Sequence, residues 1–234
     1  MSHIRQLVAL AVFLAAAGVA SAQERIAIGR ISLDRLAADT QATPGGSDDS
    51  HLALVWWIPY EYWAAAFSRE GGMPAAQREA TIKVLRDYSL LAVVQADIQV
   101  LGAFRYYDLE TVAGSLAITL ESGDHRARLE PLKDVSTEMQ PLLGALKPML
   151  ASAMGNLGSN MHFFVLADRD TEDRRIIDPY EANVLRIALA KSNGEHVDVA
   201  IEMPVDSLFV PRICPNGKSA HVSWRYCPWG GERL

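Results

Sequence analysis

The sequence predicts an α+β fold: a mostly antiparallel sheet with two or three helices and a disulfide-pinned C-terminal tail. Three observations carry that expectation. Apolar residues alternate with a mixed set along Leu90, Ala92, Val94, Ala96, Ile98 and Val100, and again along Leu116, Ile118 and Leu120, which is the period of a half-buried strand. Two further alternating runs, residues 184–190 and 197–203, flank Lys191-Ser192-Asn193-Gly194, and an Asn-Gly step between such runs is the strongest short-range hairpin signal. The chain has only two cysteines, Cys214 and Cys227, both close to its C-terminal end.

Taken in order, residues 1–22 read as an export signal. Arg5 supplies the basic start, residues 7–20 form an apolar run, and Ala20-Ser21-Ala22 sets small residues at the third and first positions before a cut. The run is shorter than the roughly 20 apolar residues a membrane span needs, and no Cys follows it to carry a lipid. Cleavage after Ala22 takes 22 residues from 234 and leaves 212, enough for one sizeable core. Residues 23–50 are then an N-terminal strand and loop segment. Ile26 and Ile28 suggest a short strand, Leu33, Leu36 and Ala37 a helical turn, and the Gly, Pro and acidic residues of 43–50 a loop.

Residues 51–204 form the α+β domain. Residues 52–58 are an apolar strand. Pro59 opens a helix, since its missing N–H is not needed in a first turn, and Gly71-Gly72 ends it. Pro74 starts a second, amphipathic helix with Ala75, Ile82, Leu85 and Tyr88 on one side. The strand over 90–100 runs straight or breaks into a hairpin near Gln95 to Asp97. Gly102 permits a bend before a strand at 104–107, and Ser122-Gly123-Asp124 turns the strand at 116–120 into a hairpin. Ser136 is placed to cap a helix with Leu142, Leu146, Met149, Leu150 and Ala153 on one side, in which Pro141 and Pro148 predict a kink or two short helices. Residues 161–166 are apolar on both faces, as in a central strand. Along 197–203, Val197, Val199, Ile201 and Met203 face one way and His196, Asp198 and Glu202 the other, so this sheet has one wet face. Residues 205–234 form the cysteine-containing tail packed on the domain.

Composition excludes one class of function. The chain carries −6, and without Arg5 of the signal −7, with its basic residues scattered, so it offers no electrostatic footprint for nucleic acid. In an exported chain an isolated cysteine pair is a disulfide, and closing a loop of that size contributes about 3 kcal/mol on the chain-entropy model. The tail around Cys227-Pro228-Trp229-Gly230 resembles the end of a zinc-ribbon module. Gly230 stands where that module has a second Cys, and with His221 as a third donor there is still no fourth, so no metal is expected.

The most unusual local composition is Trp56-Trp57-Ile58-Pro59-Tyr60-Glu61-Tyr62-Trp63, with five aromatic rings in eight residues. Such rings suit sugar faces and protein interfaces, which makes Trp57, Tyr60, Tyr62 and Trp63 the binding candidates. The competing reading packs this corner inward, with Trp56 or Trp57 and Phe67 in the core. The acidic turn Asp168-Arg169-Asp170-Thr171-Glu172-Asp173 has oxygen donors at alternate positions but lacks the Gly a calcium loop needs, and reads as a solvated turn. His162 lies in an apolar strand and is expected to be held by the backbone. Ser115 and Ser159 have no partner signature, and the separation of Glu61 from Asp97 is not set by sequence. No catalytic set and no cofactor are nominated. The functional expectation is an exported protein, periplasmic or secreted, that binds an unknown protein or glycan partner without catalysis. The competing expectation is an exported hydrolase acting on an envelope or extracellular polymer.

Overall fold

The computed structural model describes residues 23–45, 50–69 and 71–234; the expected export signal and residues 46–49 of the expected loop lie outside them. After a single 3-10 turn at Ile28–Arg30, α1 (Leu33–Thr40) leads into β1 (Gln41–Ala42) and β2 (His51–Ile58). α2 (Tyr60–Arg69) and α3 (Ala75–Leu85) precede β3 (Tyr88–Ile98) and β4 (Phe104–Tyr106). Then come α4 (Leu109–Ser115), β5 (Ala117–Ser122), β6 (His125–Leu129), α5 (Met139–Met154), α6 (Asn156–Ser159) and β7 (His162–Ala167). β8 (Val184–Ala190), β9 (His196–Glu202) and the short pair β10 (Arg212–Ile213) and β11 (Ser219–Ala220) complete the path. Every strand pairing is antiparallel, so the fold is α+β.

β10 and β11 form a two-stranded ribbon of their own, and the other strands form two stacked sheets. In the first, β1, β2 and β3 are neighbours, and the far edge of β3 is shared: β7 pairs with its first half and β4 with its last residues. The second has the order β6-β5-β8-β9. Side chains alternate across a strand, and each face of the first sheet meets a different layer. Val55, Trp57, Leu91, Val93, Phe164 and Leu166 meet Ile118, Leu120, Ile187 and Val199 of the second sheet. On the opposite face Trp56, Ile58, Leu90, Ala92, Val94 and Val165 meet Trp63 of α2, Leu85 of α3 and Met139, Leu146 and Leu150 of α5. The layers are therefore helices, sheet, sheet. This explains the apolar character of β7 on both faces although it pairs with β3 alone: what sits above and below it, not a central position, demands the pattern.

Several expectations are corrected. β2 and β3 pair without a break from His51↔Asp97 to Ile58↔Leu90, so no hairpin forms near Gln95; the turn falls at residues 99–103, where Gly102 takes a φ of 79° and Gln99 N–H bonds to Ala103 O. At Ile26 and Ile28 there is a single bridge, Arg25↔Phe209, and a 3-10 turn, because this segment runs against residues 208–210 through Ile26 N–H to Leu208 O and Val210 N–H to Glu24 O. α5 continues through Pro148. The carbonyl that Pro148 cannot bond belongs to Gly144, which is exposed and reaches water, while Met139, Leu146 and Leu150 hold the helix to the sheet. The break comes instead at Gly155, with φ of 58°. Gly158 follows, so close to the Leu150 backbone that a Cβ would collide.

Candidate functional site

The aromatic corner is a packing element. Trp56 and Trp57 are consecutive on β2 and point to opposite faces of the sheet. Trp57 is fully buried between the sheets. Trp56 is buried under the helices, where its indole N–H donates to Thr40 Oγ1 at 3.2 Å and its ring meets Tyr62 edge-on at 5.2 Å. Tyr62 in turn meets Trp63, itself buried, at 5.6 Å. Of the four binding candidates, then, Trp57 and Trp63 are not presented to solvent, and Tyr60 and Tyr62 are half-buried. The reason is coverage: both faces of this strand have a layer over them.

The same corner carries a buried ionic lock that the sequence concealed. Glu61, in the first turn of α2, takes a two-point bond from the Arg175 guanidinium, at 2.5 and 3.1 Å. Arg175 Nε also donates to Asp168 Oδ2 at 3.1 Å. Asp168 further accepts from Ile177 N–H at 2.8 Å and Ser89 Oγ–H at 3.2 Å. Asp168, in the turn expected to be solvated, is fully buried, whereas Asp170, two residues on, does sit in such a turn and accepts from Glu172 N–H, Arg174 N–H and the Arg174 guanidinium. Burial pushes the Asp168 carboxyl above its ordinary value even against Arg175. Burial works to lower the Arg175 value, but Glu61 and Asp168 outweigh it and raise it. Tyr180 beside them is pushed up to about 12 by burial and by Glu61. With every oxygen of Asp168 occupied, this group fastens the 168–180 segment to α2.

At the other end of β3 lies a second polar group. Register sets His51, Asp97 and Arg105 side by side across β2, β3 and β4. Asp97 accepts from Tyr107 Oη–H at 2.6 Å and from Arg105, and Tyr107 Oη accepts from Ser192 N–H at 2.8 Å. Burial raises the Asp97 carboxyl, yet the bonds from Tyr107, Arg105 and Ser192 outweigh it and leave it below its ordinary value. His51 Nδ1 stands 3.7 Å from Asp97 Oδ1, and Gln95 Nε2, which donates to Ala190 O, lies 3.4 Å from His51 Nε2. A cavity of about 570 Å³ opens beside them, lined by His51, Lys191, His196 and Asp198 among others. His51 Nε2 faces Gln95 and not a hydroxyl, and Asp97 is taken up by Tyr107 and Arg105, so the two do not make the Ser-His-Asp relay of a hydrolytic triad. Glu61 and Asp97 serve opposite ends of an eleven-residue strand and are not a carboxylate pair. His162 Nε2 lies 2.9 Å from Tyr107 O; a carbonyl only accepts, so this nitrogen carries the proton and the imidazole is tethered to the backbone. No group of three or more His, Cys, Asp or Glu that could hold a metal occurs among the described residues.

The C-terminal segment is built differently. Cys214 and Cys227 are joined in a disulfide, with Cα atoms 5.8 Å apart. With Ala220 they form a separate buried cluster against which Leu234 packs. Arg212 ties the segment together by donating to the carbonyls of His221, Val222 and Trp224, and Val222, anchored by Asp206 at 2.7 Å, enters the main core. Outside this small knot three large rings remain in solvent: Trp224 is 39%, Trp229 48% and Tyr226 59% exposed. The two indoles are ordered by contact, with His221 and Trp224 centred 6.1 Å apart, Trp224 and Trp229 5.9 Å apart, and the Lys218 ammonium 4.8 Å over the Trp229 ring. The sequence marks this stretch for its cysteines and its resemblance to a zinc-ribbon end, and its rings pass unmarked. Its Trp, Tyr and Trp at positions 224, 226 and 229, among Gly and Pro with no apolar run to cover them, were the available signal.

Comparison of the chain with protein-family models, with curated proteins and with solved structures finds no match.

Proposed function

We propose that the chain is an exported binding protein, periplasmic or secreted, that holds an envelope or extracellular polymer through its C-terminal segment and catalyses no reaction. One observation carries the reading: three large aromatic rings stand in solvent on a segment that the disulfide clamps into a fixed shape. Leaving such rings partly outside forgoes part of the stabilisation that full burial gives, and fixing them in advance lowers the ordering cost of binding. Rigid rings of this kind stack on the apolar faces of sugars and grip chains with little loss of side-chain entropy. A disulfide persists in an oxidising compartment, in keeping with the export signal read from residues 1–22, and no helix among the described residues is long and apolar enough to cross a membrane.

The test is co-sedimentation of the purified protein with insoluble envelope polysaccharide. The wild type is expected in the pellet, and the Trp224→Ala/Trp229→Ala double variant in the supernatant, with its melting temperature nearly unchanged. Equal pelleting of both proteins would overturn the assignment of the site. Release of soluble fragments from the polymer, abolished by His51→Ala, would overturn the non-catalytic reading in favour of a hydrolase working in the cavity beside His51 and Asp97.

A further inference from the structure

The exposed rings of the C-terminal segment do not stand alone. Residues 210–234 contain four cationic side chains, Arg212, Lys218, Arg225 and Arg233, against one acidic side chain, Glu232, a side-chain net of three positive charges. Taking these from the chain's −6 leaves −9 on the remainder. The segment is thus a basic projection on an acidic body.

Its cations are interleaved with its rings. Lys218 lies over Trp229. Tyr226 and Arg233 are antiparallel bridge partners, which sets their side chains beside one another on one face. Arg225 is exposed between Trp224 and Tyr226. Arg212 is taken up by three carbonyls and serves the fold. Lys218, Arg225 and Arg233 form no ion pair with any acid among the described residues, and the one local acid, Glu232, folds back against Gly230. Elsewhere Arg126 and Arg186 are matched with Glu121 and Arg128 with Glu130, while, among the described residues, the exposed Lys83, Arg86, Lys133 and Lys147 share the lack of an ion pair but lie over no ring. Cations left unmatched beside exposed rings, on a chain that is otherwise acidic, are arranged for a partner that supplies the negative charge.

We infer that the polymer is a polyanionic glycan, one whose sugar faces stack on Trp224, Tyr226 and Trp229 while its carboxylate or phosphate groups meet Lys218, Arg225 and Arg233. This rests on the polymer-binding reading above and sharpens it. The acidic body adds selectivity by orientation: it repels the same polymer and leaves the C-terminal segment as the face of approach. Three cations release bound counterions on contact, so affinity should fall at least tenfold between 50 and 200 mM salt, by the argument that governs polyelectrolyte binding.

The experiment is a titration of the disulfide-intact protein with four probes: polygalacturonate for carboxylate, poly(glycerol phosphate) for phosphate, dextran as a neutral glycan, and phosphatidylglycerol vesicles as an anionic surface without sugar. The wild type is expected to bind one or both polyanions with that salt dependence and to ignore dextran. Lys218→Ala/Arg225→Ala/Arg233→Ala should weaken binding about tenfold at low salt and flatten the salt response. All three sites are exposed, and an unchanged melting curve verifies the fold of this variant. Salt-insensitive binding to dextran, undiminished in the triple variant, would overturn the polyanion inference and leave polymer binding standing. Binding to the vesicles alone would replace the glycan by a lipid surface and overturn it too. Binding to none of the four would overturn the polymer reading itself.

Discussion

The aromatic corner at residues 56–63 and the aromatic tail at 224–229 are rich in the same side chains and meet opposite fates. In the corner, Trp57 has a second sheet on one side of its strand, and Trp56 and Trp63 have helices on the other. In the tail, a two-residue ribbon and a disulfide supply a core of only a few side chains, too small to cover Trp224, Tyr226 and Trp229, which stay partly in solvent. Aromatic content therefore says that a large apolar surface is present and is silent on whether the protein or its partner covers it. A layer count decides.

The largest effect should come from opening the corner. Trp57→Ala empties a fully buried site and is expected to cost about 3–5 kcal/mol, read in a denaturant melt. Trp57→Phe, which keeps a ring and drops an indole N–H that has no partner among the described residues, should recover most of it. If Trp57→Ala melts like the wild type, the contrast between the two regions fails. Arg175→Ala comes next, since it strands Glu61 and Asp168 as buried carboxylates; removing one partner of such a group costs about 3–5 kcal/mol, and hydrogen exchange should locate the loosening at α2 and residues 168–180. Cys214→Ser/Cys227→Ser is expected to lose no more than about 3 kcal/mol, to leave the main melting transition in place, and to make the tail sensitive to protease.

A finer effect separates the two ends of β3 by pH. The folded-state value of Asp168 is raised, so the folded chain holds that proton more tightly than the unfolded one. Its contribution is complete below the unfolded value of about 3.9 and is lost as pH rises through the folded value. Measured against Asp168→Asn, the wild type should lose relative stability on going from pH 3 upward. At Asp97 the folded value is lowered, and the sign reverses: stability is present above the unfolded value and lost as pH falls through the folded one. Measured against Asp97→Asn, the wild type should gain over the same climb. Parallel curves for the two variants would remove the distinction. The smallest effect belongs to the tail: Trp229→Ala, at an exposed site, should change stability by no more than about 0.5 kcal/mol while weakening polymer retention.

Much of the secondary structure was legible because its signals are local. Pro59 and Gly71 bounded α2, and Gly123 and Asn193-Gly194 marked two hairpins whose glycines do take positive φ. α4 was missed although Asp108 announces it by accepting from Thr111 N–H at 2.8 Å. The candidate site was less legible. Residues 168–175 gave no sign that Asp168 and Arg175 turn inward while Asp170 and Arg174 stay out, because the Glu61 that pairs with Arg175 is 114 positions away. The tail was read for its thiols and not for its rings.

By itself the sequence determined the α+β class, the two hairpin turns at Gly123 and Asn193-Gly194, the helices that begin at Pro59 and Pro74, and the Cys214–Cys227 pairing, since alternation, turn chemistry and an isolated pair of cysteines act over a few residues or admit one solution. Only the tertiary structure decided which aromatic set faces solvent, which carboxylates are buried and where unmatched cations gather. Those properties depend on what the fold stacks over each face, and two aromatic-rich stretches differ there by a whole layer of protein.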